Sequence, residues 1–327
     1  MGNYVRTQSI DHAVGEAGTV SITVQSADLR ARAVQGADAH LRATFEISAS
    51  SDAEADQIFE EIQLRIQRNE GELVVHEADD HGQVGQLISR FLRGQGGYEL
   101  SVVAEMPAAA QLRLTAVSSE MEVQGFTGEQ RYRTVSGDLM LSDLAGSVRL
   151  ETVSGDVTIR ADKPLAVQAQ GVSGDITITA PLLRSLRATT VSGDVELEGE
   201  LVSGGDFRVE TVSGDLGIGL IGSATFEIHG ISTDVSSELD HRLEGQIDRR
   251  RLIIGSGGPR LVFNSMSGDV DVRRPRRIMV VERHQETGPA ASGQPAPDEA
   301  TQLEVLRALE RGEIDVDEAT RRLAGGS

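Results

Sequence analysis

One tetrapeptide, Val-Ser-Gly-Asp, returns through the middle of this chain at residues 135–138, 153–156, 172–175, 191–194 and 212–215. It decays to Ile-Ser-Thr-Asp at 231–234 and Met-Ser-Gly-Asp at 266–269, and Val117-Ser118-Ser119-Glu120 opens the series. From serine to serine the steps are 18, 18, 19, 19, 21, 19 and 35 residues, the last close to two periods with one signature lost. A period fixed near 19 residues means one structural unit stacked many times.

The flanking residues show what that unit is. Before each signature, Val148, Val167, Leu186, Phe207, Phe226 and Leu261, and then Tyr132, Leu150, Ala169, Ala188, Val209, Ile228 and Phe263, alternate with Arg131, Arg149, Gln168, Arg187, Arg208, Arg133, Glu151 and Glu210. After it, Leu139, Val157, Ile176, Val195, Leu216, Val235 and Val270 resume the alternation. Period two on both sides of a Ser-Gly-Asp corner reads as strand, bend, strand. Glycine supplies a backbone conformation closed to other residues, and serine and aspartate accept hydrogen bonds from nearby amides. The valine before the corner and the apolar residue after it are expected to pin the bend to the core. A coil of this length is about 60 Å around, with neighbours about 4.8 Å apart. One coil cannot repay its own ordering cost, so stability must grow with the stack. The fold class is therefore all-β, a β-solenoid of about 19-residue coils. Its turn ladder comprises Ser136, Gly137, Asp138, Ser154, Gly155, Asp156, Ser173, Gly174, Asp175, Ser192, Gly193, Asp194, Ser213, Gly214, Asp215, Ser267, Gly268 and Asp269.

Composition narrows the partners. A formal net charge of -20 argues against nucleic acid and against nonspecific attraction to anionic membranes. With no cysteine there are no disulfides or thiolate metal sites. No stretch approaches a membrane span, and residues 1–24 lack a basic region followed by an apolar run, so a cytoplasmic location is expected, with peripheral attachment to the envelope as the alternative.

Taken in order, residues 1–104 are leading strands with a capping helix and a hairpin, and the short alternating runs over 4–47 read as irregular leading coils. Ser51 and Glu54 make a capping box for a helix at about 52–60, and residues 62–75 pair as the hairpin that covers the open end of the stack. Within 79–97, Val84, Leu87, Ile88, Phe91 and Leu92 fall at helical spacing, with Arg90 and Arg93 opposite or flanking. This amphipathic stretch packs on the flank of the solenoid or serves as an interfacial or partner-binding helix. The solenoid occupies 105–278. Its degenerate coil, 236–260, holds Arg249-Arg250-Arg251, and Arg273, Arg274, Arg276 and Arg277 close it. These arginines stop further strand pairing, or they meet a phosphate or an acidic protein. A flexible linker spans 279–298. In 299–327, Leu303, Leu306, Leu309 and Leu323 mark two short amphipathic helices that want a partner, either another protein or a second copy.

The ladder of aspartates is the most suggestive feature for a ligand. Exposed carboxylates one strand spacing apart repel by about 1 kcal/mol per pair in water. Calcium between rungs would compensate, and backbone amides would do so more cheaply. The serines recur in every coil, as a corner does and a unique nucleophile does not. The chain has no Gly-x-Ser-x-Gly elbow, Walker loop or His-Glu-x-x-His, and its seven histidines are scattered. No enzymatic activity, catalytic residue, metal or cofactor is expected.

The Val-Ser-Gly-Asp series, the strand into Met106-Pro107 and Leu252-Ile253-Ile254-Gly255-Ser256-Gly257 ahead of 266–269 resemble the bacterial "putative adhesin" domain of unknown function, over about residues 20–275. That resemblance implies a right-handed β-helix-like solenoid at or near the cell envelope, without established catalysis. The tail, from Leu303-Glu304-Val305-Leu306 through Gly312-Glu313-Ile314 to Leu323, is similar to SHOCT-type helical modules, which implies oligomerisation and a link to envelope stress. The function expected is that of a non-catalytic scaffold or interaction protein. A surface adhesin and a self-assembling cytoskeletal polymer are the alternatives.

Overall fold

The computed structural model describes residues 2–77, 97–246 and 248–275. The chain divides into two compact units, Met1–Ile278 and Met279–Ser327, and the described residues all belong to the first. The amphipathic stretch 82–94, the linker and the helical pair at 299–327 lie outside the described residues.

Strands β1 (Gly2–Ala13), β2 (Thr19–Ser26), β3 (Asp28–Val34) and β4 (Asp38–Ala49) precede helix α1 (Asp52–Ile62). The hairpin β5 (Arg65–Asn69) and β6 (Glu72–His76) follows, then β7 (Tyr98–Pro107), β8 (Gln111–Ser118), β9 (Met121–Gln124) and β10 (Glu129–Ser136). Next come β11 (Leu139–Thr152), β12 (Val157–Gln170) and β13 (Ile176–Thr189), each long enough to run through a bend, and β14 (Val195–Leu201), β15 (Phe207–Glu210), β16 (Leu216–Ile221), β17 (Ala224–Ser232) and β18 (Val235–Ser237). The last are β19 (His241–Gln246), β20 (Arg249–Ile254), β21 (Arg260–Ser267) and β22 (Val270–Arg273).

These strands form two parallel ladders joined at the Ser-Gly-Asp corner, an all-β, solenoid-like arrangement. The approach ladder leads into the corner through β6, β2, β8, β10, the second halves of β11, β12 and β13, then β15, β21 and β17. The exit ladder leaves it through β7, β3, β9, the first halves of β11, β12 and β13, then β14, β16, β22 and β18. The core lies between them. Tyr132, Leu150, Ala169, Ala188 and Val209 from one ladder and Leu141, Ile159, Ile178, Leu197 and Ile218 from the other are all buried, as the period-two alternation predicts.

Three expectations are corrected. The long 35-residue step does not hide a lost coil. The chain passes β17 and β18, makes the antiparallel hairpin β19–β20 against β17, and returns so that β21 and β22 slot between the coil of Val212 and the coil of Ile231. The stretch 236–260 is thus β18 and this hairpin, and no coil of its own. In the leading region, β1, β4 and β7 pair antiparallel on the outer side of the exit ladder, so residues 2–13 and 38–49 are flat sheet extensions. In that region β2 with β3, and β6 with β7, make the coils. Finally, the signature valines face solvent: Val117, Val135, Val153, Val172, Val191 and Val212 are all 46–50% exposed. Arg131, Arg133 and Val135 share one parity while buried Tyr132 and Thr134 share the other, so the valine continues the arginine face.

The stack ends differently from how it runs. Ser51 caps α1 by accepting the Glu54 amide at 3.2 Å, and Glu54 reaches back to the Ser50 amide at 2.8 Å. Phe59 of that helix meets Phe45 edge to face at 5.3 Å, which docks α1 on β4. Antiparallel β5 closes one end of the approach ladder, and antiparallel β20 and β19 close the other.

Candidate functional site

The corner ladder gathers the sequence-predicted residues into one column. Five of the six glycines there are required twice over. Gly137, Gly155, Gly174, Gly193 and Gly214 have positive φ between 105 and 159°, and a Cβ on Gly174 would stand 2.3 Å from the Gly155 carbonyl oxygen. Serine amides donate to the valine carbonyl one rung back, as Ser154 does to Val135 and Ser192 to Val172, both at 2.9 Å. The aspartates chain along the column: Oδ1 of Asp138 accepts the amide of Asp156, and the pattern repeats through Asp175, Asp194, Asp215 and Asp269 to the amide of Asp234, with distances of 2.7–2.9 Å. The amides offset the repulsion between neighbouring carboxylates by charge-assisted hydrogen bonds. Among the described residues no group of three or more histidines and carboxylates is placed to hold a metal ion.

Behind the corner runs a row of inward hydroxyls that the tetrapeptide did not advertise. Thr134, Thr152 and Thr190 are buried and donate to the carbonyls of Ser136, Ser154 and Ser192 at 2.9, 3.3 and 3.4 Å. The row is a five-residue signature, Thr-Val-Ser-Gly-Asp, broken at Gly171. A further corner was missed altogether. Ser26 pairs with Ser118, the Ala27 amide donates to the Ser119 hydroxyl at 3.1 Å, and the Leu29 amide donates to the Glu120 carbonyl at 3.0 Å. Gln25-Ser26-Ala27-Asp28 is therefore the first rung, with glutamine in the valine position and alanine in the glycine position.

The outer face of the approach ladder carries a second row. Parallel register places Arg113 beside Arg131, Arg131 beside Arg149, Arg149 beside Gln168, Gln168 beside Arg187 and Arg187 beside Arg208. At the later rungs the charge is met: Arg187 pairs with Asp206 at 2.7 Å and Arg208 with Glu210 at 3.0 Å. Arg149 holds the Gln168 side-chain oxygen at 2.7 Å. Arg113 and Arg131 make no hydrogen bond or ion pair among the described residues. They border a surface recess of about 340 Å³ together with Gln111, Glu129, Arg149 and Gln168. The neighbouring row holds the pair of Arg133 and Glu151 at 2.8 Å, and the guanidinium keeps the Glu151 carboxyl below its ordinary value.

The remaining sequence candidates separate. Arg249, Arg250 and Arg251 sit on β20 beside Glu227, which takes Arg251 at 3.2 Å and Arg260 at 2.8 Å, and Arg273 pairs with Glu196. Leu87, Ile88, Phe91, Leu92, Leu303, Leu306, Leu309 and Leu323 lie outside the described residues, as do Arg276 and Arg277. No described helix is long and apolar enough to cross a membrane.

The Toastrack DUF4097 family model matches residues 97–185, from the strand into Met106 through the first three Val-Ser-Gly-Asp corners, so this stretch carries a domain similar to that family, whose function is unknown. Among solved structures, the chain is similar to a "putative adhesin" from Bacteroides fragilis at 10% identity and a TM-score of 0.46, covering 82% of this chain and 97% of that one. A "putative cell adhesion protein" from Clostridium sporogenes aligns at 9% identity and a TM-score of 0.23, over 82% of this chain and 100% of that one. A "putative lipid binding protein" from Parabacteroides distasonis aligns at 10% identity and a TM-score of 0.39, over 83% and 97%. No curated protein matches the chain.

Proposed function

We propose that this chain is a non-catalytic interaction protein that takes an anionic partner along the arginine row of its approach ladder and assembles or recruits through residues 298–327. The observation that carries the reading is the run Arg113, Arg131 and Arg149 on successive rungs, two of them without a hydrogen-bond or ion-pair partner among the described residues, in a chain of net charge -20. Cations stacked at strand spacing repel by about 1 kcal/mol per pair in water, and a bound anion relieves that cost. Guanidinium groups also suit carboxylate, sulfate and phosphate geometry. The non-catalytic part rests on the corner, where each aspartate from Asp138 to Asp269 already holds the next rung's amide.

In this reading the coils wind right-handed and residues 299–327 form the helical pair that the tail's sequence resembles. The protein stays on the cytoplasmic side, in the cytosol or against the envelope. A surface adhesin would use the same arginine row from outside the cell. Antiparallel strands at both ends of the approach ladder favour a discrete assembly over an end-to-end polymer.

Retention on immobilised polyglutamate tests the row directly, because a chain this acidic should otherwise be excluded from it. We expect salt-sensitive retention that is lost in the triple variant Arg113→Gln, Arg131→Gln, Arg149→Gln. Equal exclusion of both proteins would remove the arginine row from the reading. Deleting 298–327 should lower the mass seen by light scattering, and an unchanged mass would remove the assembly role. Fractionation of the untagged protein, with protease added to intact cells, separates the scaffold from the adhesin.

A further inference from the structure

The exposed valines form a continuous apolar ridge. In stack order, Val117, Val135, Val153, Val172, Val191, Val212, Met266 and Ile231 occupy the same corner position on eight successive rungs, each 46–75% exposed. The column of carboxylates from Glu120 and Asp138 onward runs beside it. Contiguous apolar surface of this kind is seldom left bare on a soluble monomer.

The foot of the ridge is where the chain leaves the described region. Strand β6 pairs with β2 so that His76 stands against Thr23, and the Glu77 amide donates to the Thr23 carbonyl at 2.9 Å. The Glu77 carboxylate in turn accepts the amide of Gln25, the ridge position of the first rung, at 2.5 Å. Strand β7 enters the exit ladder beside β3, with Ser101 against Asp28, and the Tyr98 hydroxyl donates to the Glu77 carboxylate. So β6 and β7 are the two halves of one coil, and in the sequence residues 78–96 replace the Ser-Gly-Asp that joins the halves of the other coils.

We propose that the valine ridge is the docking surface of the chain's own residues 82–94. Three observations specify this occupant. The insertion starts and ends at the foot of the ridge. Its apolar residues Val84, Leu87, Ile88, Phe91 and Leu92 recur at helical spacing, and a helix over 82–94 would be about 20 Å long, the height of about four rungs. Residues 78–81, at about 3.4 Å each, give it a reach of roughly three rungs. The third is charge: between His81 and Tyr98 the chain has two arginines and no acidic residue, against a corner column of carboxylates in a protein of net charge -20. The proposal is independent of the arginine row.

The chain has no cysteine, so engineered pairs report without background. The test is oxidative cross-linking of full-length Leu87→Cys combined in turn with Val135→Cys, Val153→Cys and Met266→Cys, with circular dichroism confirming the fold. We expect intramolecular disulfides with positions 135 or 153 and none with 266, seven rungs along. Cross-links only between chains would assign the ridge to a second copy, and no cross-link at any position would leave it without this occupant; either overturns the proposal. As a second readout, Val117→Ser with Val135→Ser and Val153→Ser should speed amide exchange within 82–94 by roughly ten-fold. Unchanged exchange there would also overturn it.

Discussion

At the Ser-Gly-Asp corner every coil keeps step. Val148 to Ser154, Val167 to Ser173, Leu186 to Ser192 and Phe207 to Ser213 are all the same length, while the path across the opposite bend grows from Asp138–Val148 through Asp156–Val167 to Asp194–Phe207. The register shifts within β11, β12 and β13 fall at that opposite bend. One side of the coil therefore carries the period, and the other absorbs its departures from it. The bend at Val202-Ser203-Gly204-Gly205-Asp206 sharpens the contrast, because it repeats the letters of the signature with one extra glycine. There the Gly205 amide closes a local turn onto the Val202 carbonyl at 3.1 Å, and Asp206 goes to Arg187. The same residue types make a ladder only where the rungs on either side offer matching groups.

The largest effect should come from giving each bend's glycine a side chain. Gly174→Ala puts a Cβ 2.3 Å from a backbone oxygen at φ of 105° and must push neighbouring rungs apart, at about 3 kcal/mol in urea unfolding. Gly204→Ala meets nothing within 4 Å and should cost only the strain of its positive φ, about 1 kcal/mol. Equal costs would mean that stacking is not what demands glycine at the corner.

Next is the carboxylate column. Asp194→Ala removes the acceptor of the Asp215 amide and should cost about 1 kcal/mol, with Asp194→Asn losing less because an oxygen remains. Asp162→Ala, exposed at the opposite bend, should stay within about 0.5 kcal/mol of the parent. A third change should stabilise. Gly171 interrupts the threonine row without a positive φ, and a Cβ there would meet Thr152 and Thr190 at 3.7 Å, ordinary contact distance. Gly171→Ala is expected to gain about 0.5 kcal/mol through the unfolded chain. The smallest effect lies on the strand that feeds the corner. Arg133 holds the Glu151 carboxyl below 4.5, so the pair's contribution is present above that pH and fades as the pH falls through the lower folded value. The gap between parent and Glu151→Gln should narrow on acidification, and a gap that widens would reverse the assignment.

Much of this was legible in the residues. The alternation located Tyr132, Leu150, Leu141 and Ile159 in the core, and Ser51 with Glu54 located the helix start, because side-chain direction in a strand and amide capping in a helix are local matters. The exposure of the valines was also legible, since Val135 lies two and four residues from Arg133 and Arg131. Treating the bend as a reset of the alternation hid it. The first rung was obscured by Ala27 in the glycine position, and the arginine row needed register, which period alone does not supply.

The sequence by itself determined the coil: its length, its corner, its inward residues and the need to stack. Only the tertiary structure decided the order of stacking. The corners at Asp215, Asp234 and Asp269 present the same amide and carboxylate edges, so each can pair with any other, and proximity in the chain would have set Asp234 on Asp215. Instead the hairpin β19–β20 covers β17 from outside and carries β21 back beneath it, so that Asp269 lies between them. Thr233 in place of glycine was the one local sign, for its corner does without the positive φ that Gly137, Gly155, Gly174, Gly193 and Gly214 adopt.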